Sequence, residues 1–173
     1  MAVRPILVAP DKRLKLRSNP VEAVDDEIRA LLGDMLETMY AGDGLGLAAI
    51  QIGVPKRVMV VDVHGPDDSP APMKLINPEI TWFSPERIVY QEGCLSFPEY
   101  FADVERAAEV RVSYLDEGGE ACEIEASETL AVCLQHEVDH LDGKLFVDHL
   151  SLVKRGIILR KMAKAQRAKA AAE

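Results

Sequence analysis

The chain has 173 residues, which at roughly 150 residues per domain points to one domain able to bury a core without covalent staples. Its 48% hydrophobic and 28% charged residues, with 11 Gly and 10 Pro, exclude collagen, coiled-coil and low-complexity chains. The net charge of −9 disfavours nucleic acid as the main ligand, and no apolar run reaches the ~18 residues of a membrane span. With no apolar leader and cleavage site in Met1–Pro10, the expectation is a soluble cytoplasmic protein.

Residues 1–20 read as extended or turn segments punctuated by Pro5, Pro10 and Pro20. Ile28, Leu31, Leu32, Met35, Leu36 and Met39 then recur at helical period, with Asp25 as N-cap, Asp26 and Glu27 in the first turn and Gly42 as the stop. A glycine-rich stretch, Gly42–Gly53, follows. It lacks the Lys-Ser/Thr of a phosphate loop and reads as a turn. Strands are predicted at Arg57–Val63, at Met73–Ile80 with an interruption at Asn77-Pro78, and within Trp82–Gln91. His64–Pro72 reads as a loop. Glu109–Leu115 alternates and turns through Glu117-Gly118-Gly119 into Glu120–Ala126, a hairpin.

A second helix begins near Ser127 and stops at Gly143. The last begins near Ser151, with Val153, Ile157, Ile158 and Met162 as its apolar stripe, and frays beyond Ala163. Residues 151–173 hold seven basic side chains and one acid, so the body, residues 1–150, carries −15. The order predicts an α+β fold as a single domain, residues 1–173: antiparallel sheets around a central metal-binding HExxH helix, with an N-terminal helix and a C-terminal amphipathic basic helix over 151–173.

His136-Glu137-Val138-Asp139-His140 is the most informative segment. Positions i and i+4 share a helix face, so both imidazoles can reach one ion, and Glu137 stands beside them to move a proton. A catalytic site of this type needs a third protein ligand, and no His follows at the metzincin offset. A distant Glu or a cysteine must serve. Among three cysteines, an odd number that argues against a disulfide framework, Cys122 lies on an alternating strand and Cys133 on the buried side of the helix. Cys94, in Gln91-Glu92-Gly93-Cys94-Leu95-Ser96-Phe97-Pro98, is a candidate ligand, with Pro98 ending the strand-like segment. From the residues alone a zincin-type endopeptidase and a non-catalytic binding protein stay open.

Three segments in order, Gly44-Leu45-Gly46-Leu47-Ala48-Ala49-Ile50-Gln51, Glu92-Gly93-Cys94-Leu95-Ser96 and Gln135-His136-Glu137-Val138-Asp139-His140, resemble the peptide deformylase family, and the similarity spans nearly the whole chain. The resemblance implies a metal-dependent hydrolase that removes the formyl group from the N-terminal formyl-methionine of new polypeptides and releases formate. It implies Cys94, His136 and His140 as ligands of one divalent ion, Fe(II) natively, with nickel or cobalt able to substitute and zinc a poor substitute. The residues alone do not select iron over zinc. It implies Glu137 as acid–base group and the Gln51 amide and Leu95 backbone N–H as oxyanion donors. Gly44, Leu45 and Gly46 are expected to line the substrate cleft. Leu45, Val132, Cys133 and the stem of Glu92 are the candidates for a methionine pocket, with the nascent chain extended along strand edges near Gly46 and Gly93. The resemblance also suggests an Arg106–Glu92 pair, and docking of the basic terminal helix on ribosomal RNA, with salt-dependent contacts, by a monomer. Phe101 departs from the family: many bacterial members carry a polar or basic residue at that cleft lip.

Overall fold

The computed structural model describes residues 1–65 and 67–173; Pro66, within the predicted His64–Pro72 loop, lies outside the described residues. Helix α1, Asp26–Ala41, starts where its cap dictates: the Asp25 carboxylate accepts from the Ile28 N–H at 3.0 Å, with Asp26 and Glu27 at the positive end of the dipole. Strands β1 (Gly46–Ala48), β2 (Val58–Val61), β3 (Met73–Phe83), β6 (Glu109–Leu115) and β7 (Ala121–Ser127) form a five-stranded sheet in the order β1-β2-β3-β6-β7, antiparallel throughout. Strands β4 (Arg87–Cys94) and β5 (Phe97–Ala107) form a separate two-stranded sheet.

The unbroken apolar run of β2 has a simple cause. Successive side chains point to opposite faces. Val58 and Val60 pack under α1 with Leu32, Met35 and Met39, while Met59 and Val61 pack under helix α2, Glu128–Leu141, with Leu134 and Val138. The sheet is thus covered on both faces, and α2 lies between it and the β4–β5 pair. A third cluster joins Leu14, Phe97, Phe146 and Met162 beneath helix α3, Leu152–Ala172. Among the described residues no helix is long and apolar enough to cross a membrane.

Several expectations change. β3 is interrupted at Asn77-Pro78 as expected, but it runs on to Phe83 rather than ending at Ile80. Asn77 takes a left-handed φ of 51°, and the register shifts between Ile76 and Glu79, so the bulge accommodates a proline that donates nothing. The Asn77 side chain accepts from the Val21 N–H at 2.7 Å and donates to the Val21 carbonyl at 2.8 Å, tying the N-terminal segment to the bulge. Pro98 does not end a strand: it lies at the second position of β5, whose alternation is masked by outward acids and by Arg106, which is charged yet buried. β1 was hidden by its glycine. On α3 the packing face is Ile158, Leu159 and Met162, whereas Val153 and Ile157 are exposed, and the helix continues to Ala172. The β6–β7 hairpin forms as expected, with Asp116 Oδ1 accepting from the Gly118 and Glu120 N–H groups at 2.8 and 3.0 Å.

Gly143 stops α2 at φ +75°, and a Cβ there would stand 2.5 Å from the Lys15 carbonyl oxygen. Both the left-handed backbone and that contact exclude a side chain. Gly143→Ala is expected to destabilise the fold by about 2 kcal/mol or more, read from the urea denaturation midpoint.

Candidate metal centre

Helix α2 carries His136, Glu137 and His140 on its buried side, at 8%, 4% and 1% exposure. Cys94 closes β4, and the two-residue Leu95-Ser96 turn returns the chain into β5 with Cys94 opposite Phe97. That hairpin end drops onto α2. The ligand-type atoms of Cys94, His136 and His140 all lie within 4.8 Å of one another, and Cys94 Sγ is 3.2 Å from His140 Nε2. Tetrahedral bonds of about 2.0–2.3 Å place ligand atoms roughly 3.5 Å apart, so one sulfur and two imidazoles fit a single ion such as zinc or iron.

Each ring has a defined electrostatic state. His136 donates from Nδ1 to Glu92 Oε1 at 2.7 Å, which orients the ring; burial works against its charge, but the bonds to Cys94 and Glu92 hold its pKa well above the ordinary value. The ring lies nearly parallel to Phe146, centroids 6.2 Å apart. Burial, with His136 next, pushes His140 well below its ordinary pKa, so it is a neutral imidazole. Its Nδ1 is buried without a partner. Cys133 is also on α2, and burial, followed by Glu137 and Glu92, pushes its thiol well up. It is a protonated donor, 3.5 Å from the Leu45 carbonyl.

Glu137 is raised to about 7, mainly by burial; the Glu92 and Asp139 charges add to this, and His136 and Arg106 oppose it. Its Oε2 is buried with no hydrogen-bond partner. Such an orphan in a buried site marks a group waiting for a proton or a ligand. Gly46 explains how β1 comes so close: a Cβ there would stand 2.6 Å from Glu137 Oε1 and 2.9 Å from Cys133 Sγ.

Gln51, in the short turn of 3-10 helix Ala49–Ile52, has a fixed orientation. Its Oε1 accepts from the Ala48 N–H at 2.9 Å, so the amide NH2 faces Ser96 Oγ at 3.1 Å and Cys94 Sγ at 3.6 Å. Leu95 packs against Gly42 and Gly44, where its methyl groups occupy the space a Cβ would take. A cleft of about 650 Å³ opens beside these groups, and Gly44, Leu45, Gly46, Glu92, Gly93, Val132 and Cys133 all line it. The carboxylate of Glu92 turns inward, away from that role. It forms a two-bond pair with Arg106, Nε to Oε2 at 2.7 Å and Nη2 to Oε1 at 3.0 Å, both residues under 5% exposed. Phe101 stands 64% exposed on the lip, its ring over Gly93, where a Cβ would be 2.5 Å from Cε1.

Sequence reasoning assigned no role to Ser96, Gln135, Asp139 or His149. Gln135 bridges α2 to β5, accepting from the Ala107 N–H at 3.1 Å and donating to its carbonyl at 3.0 Å. A polar side chain at a buried helix position, directly before His136, was the available signal.

Comparison with known proteins identifies the family. The polypeptide deformylase family model matches residues 3–156. The peptide deformylase of Phenylobacterium zucineum is 56% identical over 168 residues, covering 97% of this chain and 99% of the relative. That of Bartonella henselae is 51% identical over 169 residues, covering 98% and 96%. The crystal structure of peptide deformylase from Ehrlichia chaffeensis superposes with a TM-score of 0.92 at 45% identity, covering 98% of this chain and 99% of that one. The same enzyme in complex with actinonin gives 0.92 at 46% identity, covering 96% and 99%.

Removing one member of a buried ion pair leaves the other uncompensated. Glu92→Ala is therefore expected to cost about 3 kcal/mol of stability through the stranded Arg106 guanidinium, measured by chemical denaturation.

Proposed function

The chain belongs to the polypeptide deformylase family, a metal-dependent class, and from that membership we propose that Cys94, His136 and His140 hold its divalent ion. The reaction is hydrolysis of the N-formyl group on the formyl-methionine of newly synthesised polypeptides, with release of formate. The observation that carries the site assignment is the convergence of one thiol and two imidazoles within 4.8 Å, next to a buried carboxylate with a free oxygen.

When bound, a divalent ion at these ligands lowers the pKa of water and polarises a carbonyl. Glu137 takes a proton from the attacking water at its free Oε2, and the oxygen bonds to the formyl carbon. The same carboxyl gives the proton to the leaving amine as the C–N bond breaks. Burial raises the Glu137 carboxyl toward the range in which it can both take and return a proton. Gln51 and the Leu95 backbone N–H donate to the developing oxyanion. The fixed amide of Gln51, already turned toward Cys94, supports that role.

Leu45, Val132, Cys133 and the stem of Glu92 hold the methionine side chain. The peptide runs extended past Gly44, Gly46 and Gly93, and the edge position of β1 supports main-chain pairing there. The soft thiolate with two imidazoles suits Fe(II) as the native ion, with zinc, nickel or cobalt as possible occupants. The whole chain, 1–173, acts as one catalytic domain, monomeric and cytoplasmic. Residues 151–173 form a basic helix that docks on the ribosome; its exposed Lys154, Arg160, Lys161, Lys164, Arg167 and Lys169 support this. The endopeptidase alternative is not favoured.

The test is an anaerobic assay of Fe(II)- or Ni(II)-loaded protein on formyl-Met-Ala-Ser, following formate and product mass together. Formate release with intact peptide bonds is expected, and scission inside the peptide would overturn the reading. Glu137→Ala should keep the metal and lose turnover, whereas Cys94→Ser should lose the metal by elemental analysis. Gln51→Ala should lower kcat on the order of 100–1000-fold.

A further inference from the structure

On the side of α2 away from the substrate cleft lies a second cavity of about 790 Å³, lined in part by Arg57, Arg106, Asp139, Lys144 and His149. The groups on its wall connect inward. His149 Nε2 is 2.7 Å from Asp139 Oδ2, and the same oxygen accepts from Arg106 Nη1 at 2.7 Å. Arg106 reaches Glu92 through its other two nitrogens, and Glu92 Oε1 accepts from His136 Nδ1. The bonds run without a gap from a half-exposed imidazole to a deeply buried one.

The shorter contact sets the direction, because the donor Arg106 Nη1 stands 3.3 Å from His149 Nε2 while Asp139 Oδ2 is at 2.7 Å. A carboxylate only accepts, so His149 Nε2 carries a proton toward Asp139. The 3.3 Å approach of Arg106 Nη1 to the same nitrogen is then a contact between two donors, held by the oxygen they share. The guanidinium is therefore gripped by two carboxylates, Glu92 on one side and Asp139 on the other. Glu92 sets its plane through two bonds, and Asp139 holds its far nitrogen.

The turn that supplies His149 makes a second, independent contact. Residues Phe146–His149 form one turn of 3-10 helix, and Phe146 at its start is the ring lying on His136. One four-residue turn thus reaches His136 twice, through the Phe146 ring at 6.2 Å between centroids and through the bonded chain from His149. We propose that Asp139 and His149 are positioning residues for His136, acting from the far side of α2 through Arg106 and Glu92.

The proposal rests on the reading of Cys94, His136 and His140 as metal ligands, so the test reads the ion directly. The protein is loaded with Co(II), and affinity is measured by competition with a chelator while the visible spectrum reports ligand geometry. Asp139→Asn is expected to weaken Co(II) binding about tenfold, the low end for groups that orient a ligand. His149→Phe, at a half-exposed position that tolerates change, should weaken it about threefold and shift the d–d bands, with kcat falling and KM unchanged. His149→Gln, which can still donate to Asp139, should restore the parent values, and Lys144→Gln in the same cavity should match them throughout. Variants that lower Tm yet keep the parent's Co(II) affinity and spectrum would overturn the relay. A parent protein with no thiolate-to-cobalt band would instead overturn the metal centre itself.

Discussion

A carboxylate at 3% exposure must be hydrogen-bonded to stay charged, and the fold around Glu92 is arranged to meet that demand. Burial alone would push Glu92 upward, yet bonds from His136 and Arg106 bring it below its ordinary range. Those bonds cross three elements. Glu92 is on β4, Arg106 is on β5 opposite Ile88, and His136 is on α2. Satisfying one charge therefore docks the hairpin on the helix, and the hairpin's end carries Cys94 to the two imidazoles. Breaking the pair affects packing and ligand placement together.

The approach of backbone to side chain depends on the same economy of space. Gly46 lets the edge strand lie against Glu137, and Gly93 lets the Phe101 ring lie over β4. Neither position needs an unusual φ; each needs the absence of a Cβ. Glu137 is enclosed as a result, and the enclosure is what raises its pKa.

What was legible in the sequence follows from how local each cause is. The α1 cap, the β6–β7 turn and the i, i+4 spacing of His136 and His140 are set within a few residues, and they were read directly. β5 was missed because Pro98 and buried Arg106 break the pattern that would announce it, and Arg106 is buried only because Glu92 and Asp139 are there to receive it. The packing face of α3 is as read at Ile158 and Met162 but does not extend to Val153 and Ile157, because apolar residues circle its first turns and only contact with Phe146 and Leu14 selects Ile158, Leu159 and Met162. Cys94 was a candidate from the residues and was singled out only by family resemblance, since nothing near it in sequence shows what it faces. The roles of Asp139 and His149 depend on partners brought together by folding, and no local pattern records them.

The brevity of β1 limits how much of a polypeptide can be read. Its three residues leave room for roughly 10 Å of added strand, about three residues of ladder. A chain paired there is held by its first few peptide units and is free beyond them. On the proposed pairing, reading so short a stretch, and mainly through backbone groups, would make the enzyme indifferent to nearly everything that distinguishes one nascent protein from another. It also means that only the first few residues of a growing chain need to be clear of the machinery that makes it.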